Sequence, residues 1–337
     1  MKHARIFCRR TGVAALLGAI AVALALPVQA QAKRELKISH SAPGVPSSEL
    51  HMAAWVFSNY VNEHSGTVSA KIYPANALGE ERAVYEAMQL GAGASCAVTG
   101  TAILNNFSKR LGVIDLPFLW RDYDHMNTTL NGEVGEALAQ DLEKSGFKVV
   151  AWMTNWGARN VVTSKKEVKT PDDLKGLKIR TIQSPVYIEA LNAMGANATP
   201  MSFGEVYTSM QTGVLDGFEH GSAIVVTQKF YEVAKHIALT RHFLGPVAMV
   251  CSLSEWNQLS DKDKQVVLDA AQLAGDVNWA LAPRREKEAF DFLRANGMQI
   301  SEIDTTVFRE RAVAMQDEFA KERGADDLLK QIRASQE

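Results

Sequence analysis

The sequence predicts an α/β protein of two interwoven lobes, and three observations lead to this prediction. Residues 170–219 alternate between strand and helix patterns, which is typical of a largely parallel sheet covered by helices. Without a leader of 32 residues the chain keeps 305 residues, more than one hydrophobic core usually spans. No repeat, low-complexity tract or proline-rich linker separates the parts, so we expect the chain to pass between the lobes.

The first 32 residues have the pattern of a secretory signal peptide. Four basic residues precede the apolar run 13–26, which at 14 residues is short for a membrane span. Small residues before position 33 fit a cleavage site. An uncleaved membrane anchor and twin-arginine export through Arg9 and Arg10 are the alternatives, but we expect general secretion to the periplasm with cleavage.

The charge of the remaining chain bears on its partners. Removing the leader takes away four of 36 basic residues and leaves 32 against 38 acidic residues, a net charge of −6. Nucleic-acid binding needs a basic face, so we expect no nucleic-acid partner.

The residues after the leader predict strands and helices in alternation. The strands are predicted over 36–40, 67–73 and 147–153, and the helices over 47–65, 80–90 and 122–144. An apolar stripe at helical spacing marks the first helix and consists of Leu50, Ala53, Ala54, Phe57 and Val61. In the second strand Val68, Ala70 and Ile72 alternate with polar residues, as one buried face requires.

Helix start residues divide the segment 170–219 into short elements. Thr170, Pro171 and Asp173 fit the start of a short helix. A strand follows over 177–181, because its apolar and basic residues alternate. It carries Arg180 near its carboxyl end, where an open α/β sheet usually binds ligands.

Two further helices and a strand complete this segment. Ser184 and Pro185 open the second helix, and Ser202 and Glu205 predict a capping box for the third. Residues 214–215 have the pattern of a short buried strand. The resulting order, β-α-α-β, supports the largely parallel sheet.

Residues 261–296 predict an unusually long helical segment. Ser260 and Asp263 fit its start and Gly297 its end. At about 1.5 Å per residue it would be roughly 54 Å long, longer than one small domain. Pro283 interrupts the pattern, so the residues alone allow one bent helix or two helices that meet at the proline.

Two cysteines follow the leader, Cys96 and Cys251, both in apolar surroundings. An exported protein can pair them in a disulfide. Buried free thiols that pack as small apolar side chains are equally consistent with the sequence.

Arg180 is the first candidate for a ligand contact on chemical grounds. Its planar guanidinium matches a carboxylate and stays charged when water is removed. A surface ion pair with a nearby acid is the alternative. Common enzyme motifs are missing from the sequence, including the nucleophile elbow, H-E-x-x-H, a phosphate loop and paired cysteines. We therefore expect no catalysis, metal or cofactor.

Several motifs, in order along the chain, resemble the substrate-binding proteins of tripartite ATP-independent periplasmic (TRAP) transporters, of the dicarboxylate-binding-protein type. These are LKISHSAP at 36–43, IYPANALGEERAVYEAMQLG at 72–91, DLPFLW at 115–120, WGARNVVTS at 156–164, and TPDDLKGLKIRT from 170. The resemblance covers essentially all of the chain after residue 32.

The resemblance implies a two-lobed periplasmic-binding-protein-like fold of type II. Each lobe would hold a mixed sheet flanked by helices, with one long helix crossing both lobes. Lobe one would comprise 33–156 and 245–284, and lobe two 157–244 and 285–337. The protein would be a monomer that delivers a small carboxylate ligand to membrane transporter subunits.

The resemblance also indicates a ligand site. Arg180 matches the arginine that clamps a carboxylate, Arg159 a second arginine, and Phe203 a ring that stacks on the ligand. His220 stands where relatives have an asparagine, and Phe218 where they have a glutamine. The full set of predicted ligand-binding residues is Arg180, Arg159, His220, Phe203, Trp156, Tyr187, His40, Ser41, Thr99 and Glu219.

A solute receptor for a hydroxy, keto or sugar acid is therefore the function that we expect. His220 could donate a hydrogen bond to a hydroxyl or keto oxygen, or meet a second carboxylate if protonated; a purely structural histidine is the alternative. An exported enzyme that uses His220 as a base, and a ligand receptor for a membrane sensor, are the alternative functions.

Overall fold

Two mixed β-sheets organise residues 32–335, the part of the chain that the computed structural model describes. The predicted signal peptide lies outside the described residues except for its last residue. The strands are β1 (Arg34–Ser39), β2 (Val68–Tyr73), β3 (Cys96–Gly100), β4 (Phe147–Thr154), β5 (Arg159–Thr163), β6 (Lys178–Thr181), β7 (Asn197–Pro200), β8 (Gly217–Gly221), β9 (His236–Phe243), β10 (Pro246–Ser252) and β11 (Gln299–Ser301).

Helices flank both sheets. They are α1 (Glu49–His64), α2 (Glu81–Gln89), α3 (Thr101–Leu104), α4 (Tyr123–Leu130), α5 (Glu133–Lys144), α6 (Pro185–Ala193), α7 (Val206–Gln211), α8 (Ser222–Thr227), α9 (Leu253–Asn257), α10 (Asp261–Ala295), α11 (Thr306–Val313), α12 (Gln316–Glu322) and α13 (Asp326–Ala334). Within residues 32–335, no helix combines the length and the apolar character that crossing a membrane would need.

The first sheet has the strand order β2-β1-β3-β10-β4, and the second has the order β11-β9-β5-β8-β6-β7. In the first, β1 is parallel to β2 and β3, whereas β10 is antiparallel to β3 and β4. In the second, β6 is parallel to β7 and β8, whereas β5 is antiparallel to β8 and β9. Both sheets are mixed, so the predicted fold class is confirmed.

The chain passes between the sheets three times, from β4 to β5, from β9 to β10, and from β10 to β11. We call the parts built around the first and second sheets lobe one and lobe two. The residue boundaries of the lobes implied by the resemblance stay a prediction.

Helix α10 is continuous over 35 residues, with Pro283 inside it. At about 1.5 Å per residue it is roughly 52 Å long. It contacts α1 and β4 of lobe one and α8 of lobe two. The single long helix implied by the resemblance is therefore confirmed, and the alternative of two helices is not.

Cys96 and Cys251 form a disulfide between β3 and β10. The two residues lie directly opposite each other in the antiparallel register. Of the two possibilities that the sequence left open, the structure has the paired one.

Three local predictions are wrong. The helix predicted over 122–144 is two helices, because Gly132 has extended backbone angles (φ −111°, ψ −159°) between them. Asparagine and glycine at 131–132 are poor helix formers, so the break costs little.

The other two errors concern the end of the 170–219 segment. Residues 214–215 are not a strand, because both of their amides donate to the carbonyl of Ser209 and so close α7; the strand begins at Gly217. The capping box of Ser202 and Glu205 does not form, since the Ser202 side chain accepts no capping hydrogen bond and a 3₁₀ turn precedes α7.

Candidate functional site

A cavity lies between the two lobes, and both contribute side chains to its wall. Six of the predicted ligand-binding residues line it: Arg180, Arg159, His220, Phe203, Tyr187 and Ser41. The lobes also contact each other beside it, because the Asn105 side chain donates to the Ser184 hydroxyl at 3.3 Å and the Asn106 side chain to the carbonyl of Gln183 at 3.0 Å.

Arg180 reaches the cavity from β6, which lies between two parallel neighbours in the second sheet. The residue is 3% exposed, and its Nε and Nη2 both donate to the carbonyl of Met201, at 3.0 and 2.7 Å. Burial lowers its pKa to about 10, with Glu219 opposing this effect and Arg159 adding to it, so the group stays charged at neutral pH.

The charge of Arg180 has no direct partner in the described part of the chain. Among residues 32–335 no carboxylate forms an ion pair with it, and the edge formed by Nη1 and Nη2 keeps donors that the Met201 carbonyl does not use. The ring of Phe203 lies beside the guanidinium, with its centroid 5.7 Å from Cζ. Buried charges in proteins are normally paired, so this geometry calls for an anion.

Arg159 is equally buried but is fully paired. Its Nε and Nη2 donate to the two carboxylate oxygens of Glu219 at 2.5 and 2.8 Å, and Nη2 also reaches the Glu219 carbonyl at 3.0 Å. The Thr181 hydroxyl donates to the same carboxylate at 3.2 Å. Burial would raise the pKa of Glu219, but the Arg159 guanidinium outweighs it and holds that pKa well below the ordinary range.

His220 lies in β8, opposite Asn160 of β5, and its side chain lines the cavity. Its Nδ1 accepts a hydrogen bond from the amide of Gly221 at 2.9 Å, which leaves Nε2 to carry the proton of the neutral ring. Burial and the nearby Arg159 hold the pKa of His220 well below its usual range. The ring is therefore a neutral hydrogen-bond donor rather than a cation.

Lobe one supplies two carboxyls at the cavity wall that the sequence analysis missed. Glu49, the first residue of α1, is 1% exposed and lines the cavity, as does Glu81, the first residue of α2. Glu81 accepts hydrogen bonds from the hydroxyls of Ser41 and Thr99 at 3.2 and 3.3 Å. Acidic residues are common in the first turn of helices, so this position gave no functional signal.

Tyr187 links the cavity to a further buried acid. Its hydroxyl lies 3.5 Å from Asp115, which also accepts hydrogen bonds from Thr101 at 2.9 Å and Asn105 at 3.0 Å. Burial raises the pKa of Asp115 to about 7, against the effect of these hydrogen bonds.

The other four predicted residues do not line the cavity. His40 is 3.1 Å from His51 in a ring-to-ring hydrogen bond, Thr99 supports Glu81, and Glu219 holds Arg159. Trp156 is fully buried and donates to the carbonyl of Asn278 in α10 at 3.2 Å. Within the described chain no group of three or more His, Cys, Asp or Glu side chains could hold a metal ion.

Two lobes joined by three chain crossings, with a charged cavity between them, are the architecture of a solute-binding protein. The chain matches the family described as bacterial extracellular solute-binding protein, family 7, over residues 38–322. It therefore belongs to that family, a family of binding proteins rather than enzymes, and the predicted resemblance is confirmed.

Individual relatives agree with this assignment. A 2,3-diketo-L-gulonate-binding periplasmic protein of Escherichia coli is 36% identical over 287 residues, which is 84% of this chain and 87% of that protein. A crystal structure of a TRAP periplasmic solute-binding protein from Polaromonas with D-erythronate gives a TM-score of 0.84 at 32% identity, covering 90% of this chain and 98% of that one. A Chromohalobacter salexigens protein with bound D-glucuronate gives 0.84 at 30% identity, covering 89% and 99%.

Proposed function

We propose that this protein captures a sugar acid in the cavity between its lobes and delivers it to the membrane subunits of a TRAP transporter. The observation that carries the proposal is Arg180, a buried guanidinium that lacks a carboxylate partner at the cavity wall. The relatives with erythronate, glucuronate and diketogulonate support the class of ligand, because each of these acids combines a carboxylate with hydroxyl or keto oxygens.

Each side of the cavity suits one part of such a ligand. The free edge of Arg180 offers two parallel donors to a carboxylate, and the Phe203 ring offers a face to the sugar carbons. The neutral His220 ring offers Nε2–H to a hydroxyl or keto oxygen. On lobe one, Glu81 is an acceptor for ligand hydroxyls.

A thermal-shift screen of acids and neutral sugars tests the proposal. A ligand at a hundred times its dissociation constant adds about 2.7 kcal/mol to the free energy of unfolding, which is readily visible as a melting shift. We expect aldonates, uronates or keto acids to stabilise the protein, and mass spectrometry of the denatured complex to return the ligand unchanged. Stabilisation by neutral sugars or cations alone would overturn the proposal.

Export to the periplasm with cleavage of the leader is part of this proposal. The family is extracellular, which supports export. We expect intact mass spectrometry of the mature protein to show a first residue at Gln31 or Lys33. A membrane-bound species that retains 13–26 would contradict cleavage.

A further inference from the structure

We infer that Glu49 is a ligand-binding carboxyl that takes up a proton when the acid enters the cavity, so that capture of the anion is coupled to proton uptake. This inference rests on the proposed function, because it concerns the same cavity and a ligand that carries a carboxylate. It adds a binding residue and a pH dependence that neither the sequence nor the family assignment indicates.

One carboxyl oxygen of Glu49 is buried at the cavity wall without a hydrogen-bond partner. Its side chain lines the cavity and the residue is 1% exposed, yet its Oε2 has no hydrogen-bond partner among the described residues. A buried carboxyl oxygen without a partner is costly, so such an atom is expected to meet a ligand group.

The charged groups around Glu49 do not neutralise it. The charge of Arg159 acts on it, but the Glu219 carboxylate already holds that guanidinium at two oxygens. Tyr123 of α4 also faces Glu49, and its hydroxyl lies 3.4 Å from Glu286 of α10. The cavity further contains Glu81, Arg180 and the neutral His220.

Burial accordingly raises the pKa of Glu49 to about 7, although its own backbone amide and Arg159 oppose the shift. A second negative charge, brought by the ligand, must raise this pKa further, since like charges disfavour each other's ionised forms. The ligand therefore binds best when Glu49 is protonated. By linkage, binding above neutral pH draws one proton from solution.

The sign of this coupling identifies the ligand's other functional group. A protonated carboxyl donates one hydrogen bond and accepts another, which suits a hydroxyl or keto oxygen. A ligand ammonium would instead favour the ionised carboxylate and would release a proton on binding. Proton uptake is thus specific to acids whose second recognition group is neutral.

Two other acids titrate in or near the cavity and must be separated from Glu49. Asp115 has a pKa of about 7 but is not part of the cavity lining. Burial also raises the pKa of Glu81, although the Ser41 hydroxyl and Arg180 oppose this. Asp115→Asn is the matched control, because it removes a second buried acid with a similar pKa.

Calorimetric titration with D-glucuronate, in buffers of different ionisation enthalpy, measures both affinity and protons exchanged. For a free pKa near 7 and a carboxyl that stays protonated in the complex, we expect affinity to fall about tenfold from pH 6 to pH 8, with about 0.9 proton taken up per ligand at pH 8. Glu49→Gln imitates the protonated carboxyl, so it should bind with less than about twofold change over the same range. Asp115→Asn should keep the uptake.

Proton-neutral binding by the unaltered protein, or uptake that persists in Glu49→Gln, would overturn the inference. A measurement of stability without ligand tests the titration of Glu49 even if Glu49→Gln does not bind the ligand. The raised pKa of Glu49 implies that stability falls as pH rises from about 4.5 through 7, and Glu49→Gln should show a smaller fall in urea titrations. If no acid in the thermal-shift screen binds but this stability difference is found, the proposed function fails while the titration of Glu49 stands. An equal fall in the stability of both proteins would overturn the inference.

Discussion

The two walls of the cavity differ in charge and in the way their side chains are held. Lobe two presents arginines from the strands of its sheet, whereas lobe one presents glutamates from the first residues of α1 and α2. A ligand with a carboxylate at one end and hydroxyls at the other satisfies both walls only when the lobes are together. Recognition of the proposed ligand is thereby divided between the two lobes.

Within lobe two, Arg159 and Arg180 provide a sharper comparison. They are 2% and 3% exposed, so burial does not distinguish them. Among residues 32–335, Arg159 has a carboxylate counter-ion and Arg180 has none. We therefore expect Arg159 mainly to stabilise the fold and Arg180 to bind the ligand. The following experiments test this division of roles.

Glu219→Gln should have the largest effect on stability. It leaves the Arg159 guanidinium buried without a counter-ion, which typically costs about 3–5 kcal/mol in the free energy of unfolding. Urea titration at pH 7 measures this loss, with Glu86→Gln on the exposed Arg82–Glu86 pair as the control that should change little.

The Arg159–Glu219 ion pair also predicts that the protein loses stability in acid. Because the folded pKa of Glu219 lies below its unfolded value, its stabilisation is present above about pH 5 and is lost as pH falls. The difference in stability between the protein and Glu219→Gln should therefore shrink below pH 5. A constant difference down to pH 3 would show that the carboxylate does not carry the effect.

Arg180→Ala should mainly affect affinity. Loss of one member of a desolvated charge pair costs about 2–5 kcal/mol, or roughly 30-fold to several thousandfold in the dissociation constant. Arg180→Lys should also lose at least about tenfold, because an ammonium cannot supply two parallel donors. Calorimetry with an acid from the screen measures both, and urea titration without ligand should show a smaller loss than Glu219→Gln. Near-normal affinity in both variants would place the carboxylate elsewhere.

His220→Asn should have the smallest effect and change preference rather than binding itself. Both side chains donate from a neutral group, but from different positions, so we expect the ranking of acids to shift by about tenfold. The pKa of His220 lies well below neutrality, so the substitution should leave the pH dependence between 6 and 8 unaltered. An unchanged ranking would assign His220 a structural role.

The sequence predicted the cavity residues of lobe two better than those of lobe one, because some of the former follow from local pattern. The alternation at 177–181 placed Arg180 on a strand near its carboxyl end, and that position is a matter of local pattern. Local pattern could not show that Arg159 is neutralised, because its partner Glu219 lies 60 residues further along and meets it only through pairing of β5 with β8.

The acidic wall was missed for a related reason. Glu49 and Glu81 each stand at a helix start, where an acid is favourable whatever its function. Both face a cavity whose other wall belongs to lobe two, an arrangement that no local window of sequence contains. At 214–215 the sequence instead predicted a strand that does not form. The amides of these two apolar residues donate to the Ser209 carbonyl and end a helix, so the residues do not enter the sheet.

The disulfide between Cys96 and Cys251 closes a covalent ring of chain that contains β5 to β9 and hence the arginines of the cavity. The two ends of this ring meet in the first sheet, with Cα atoms 3.9 Å apart. A single proteolytic cut anywhere inside the ring therefore leaves both fragments joined until a reductant is added.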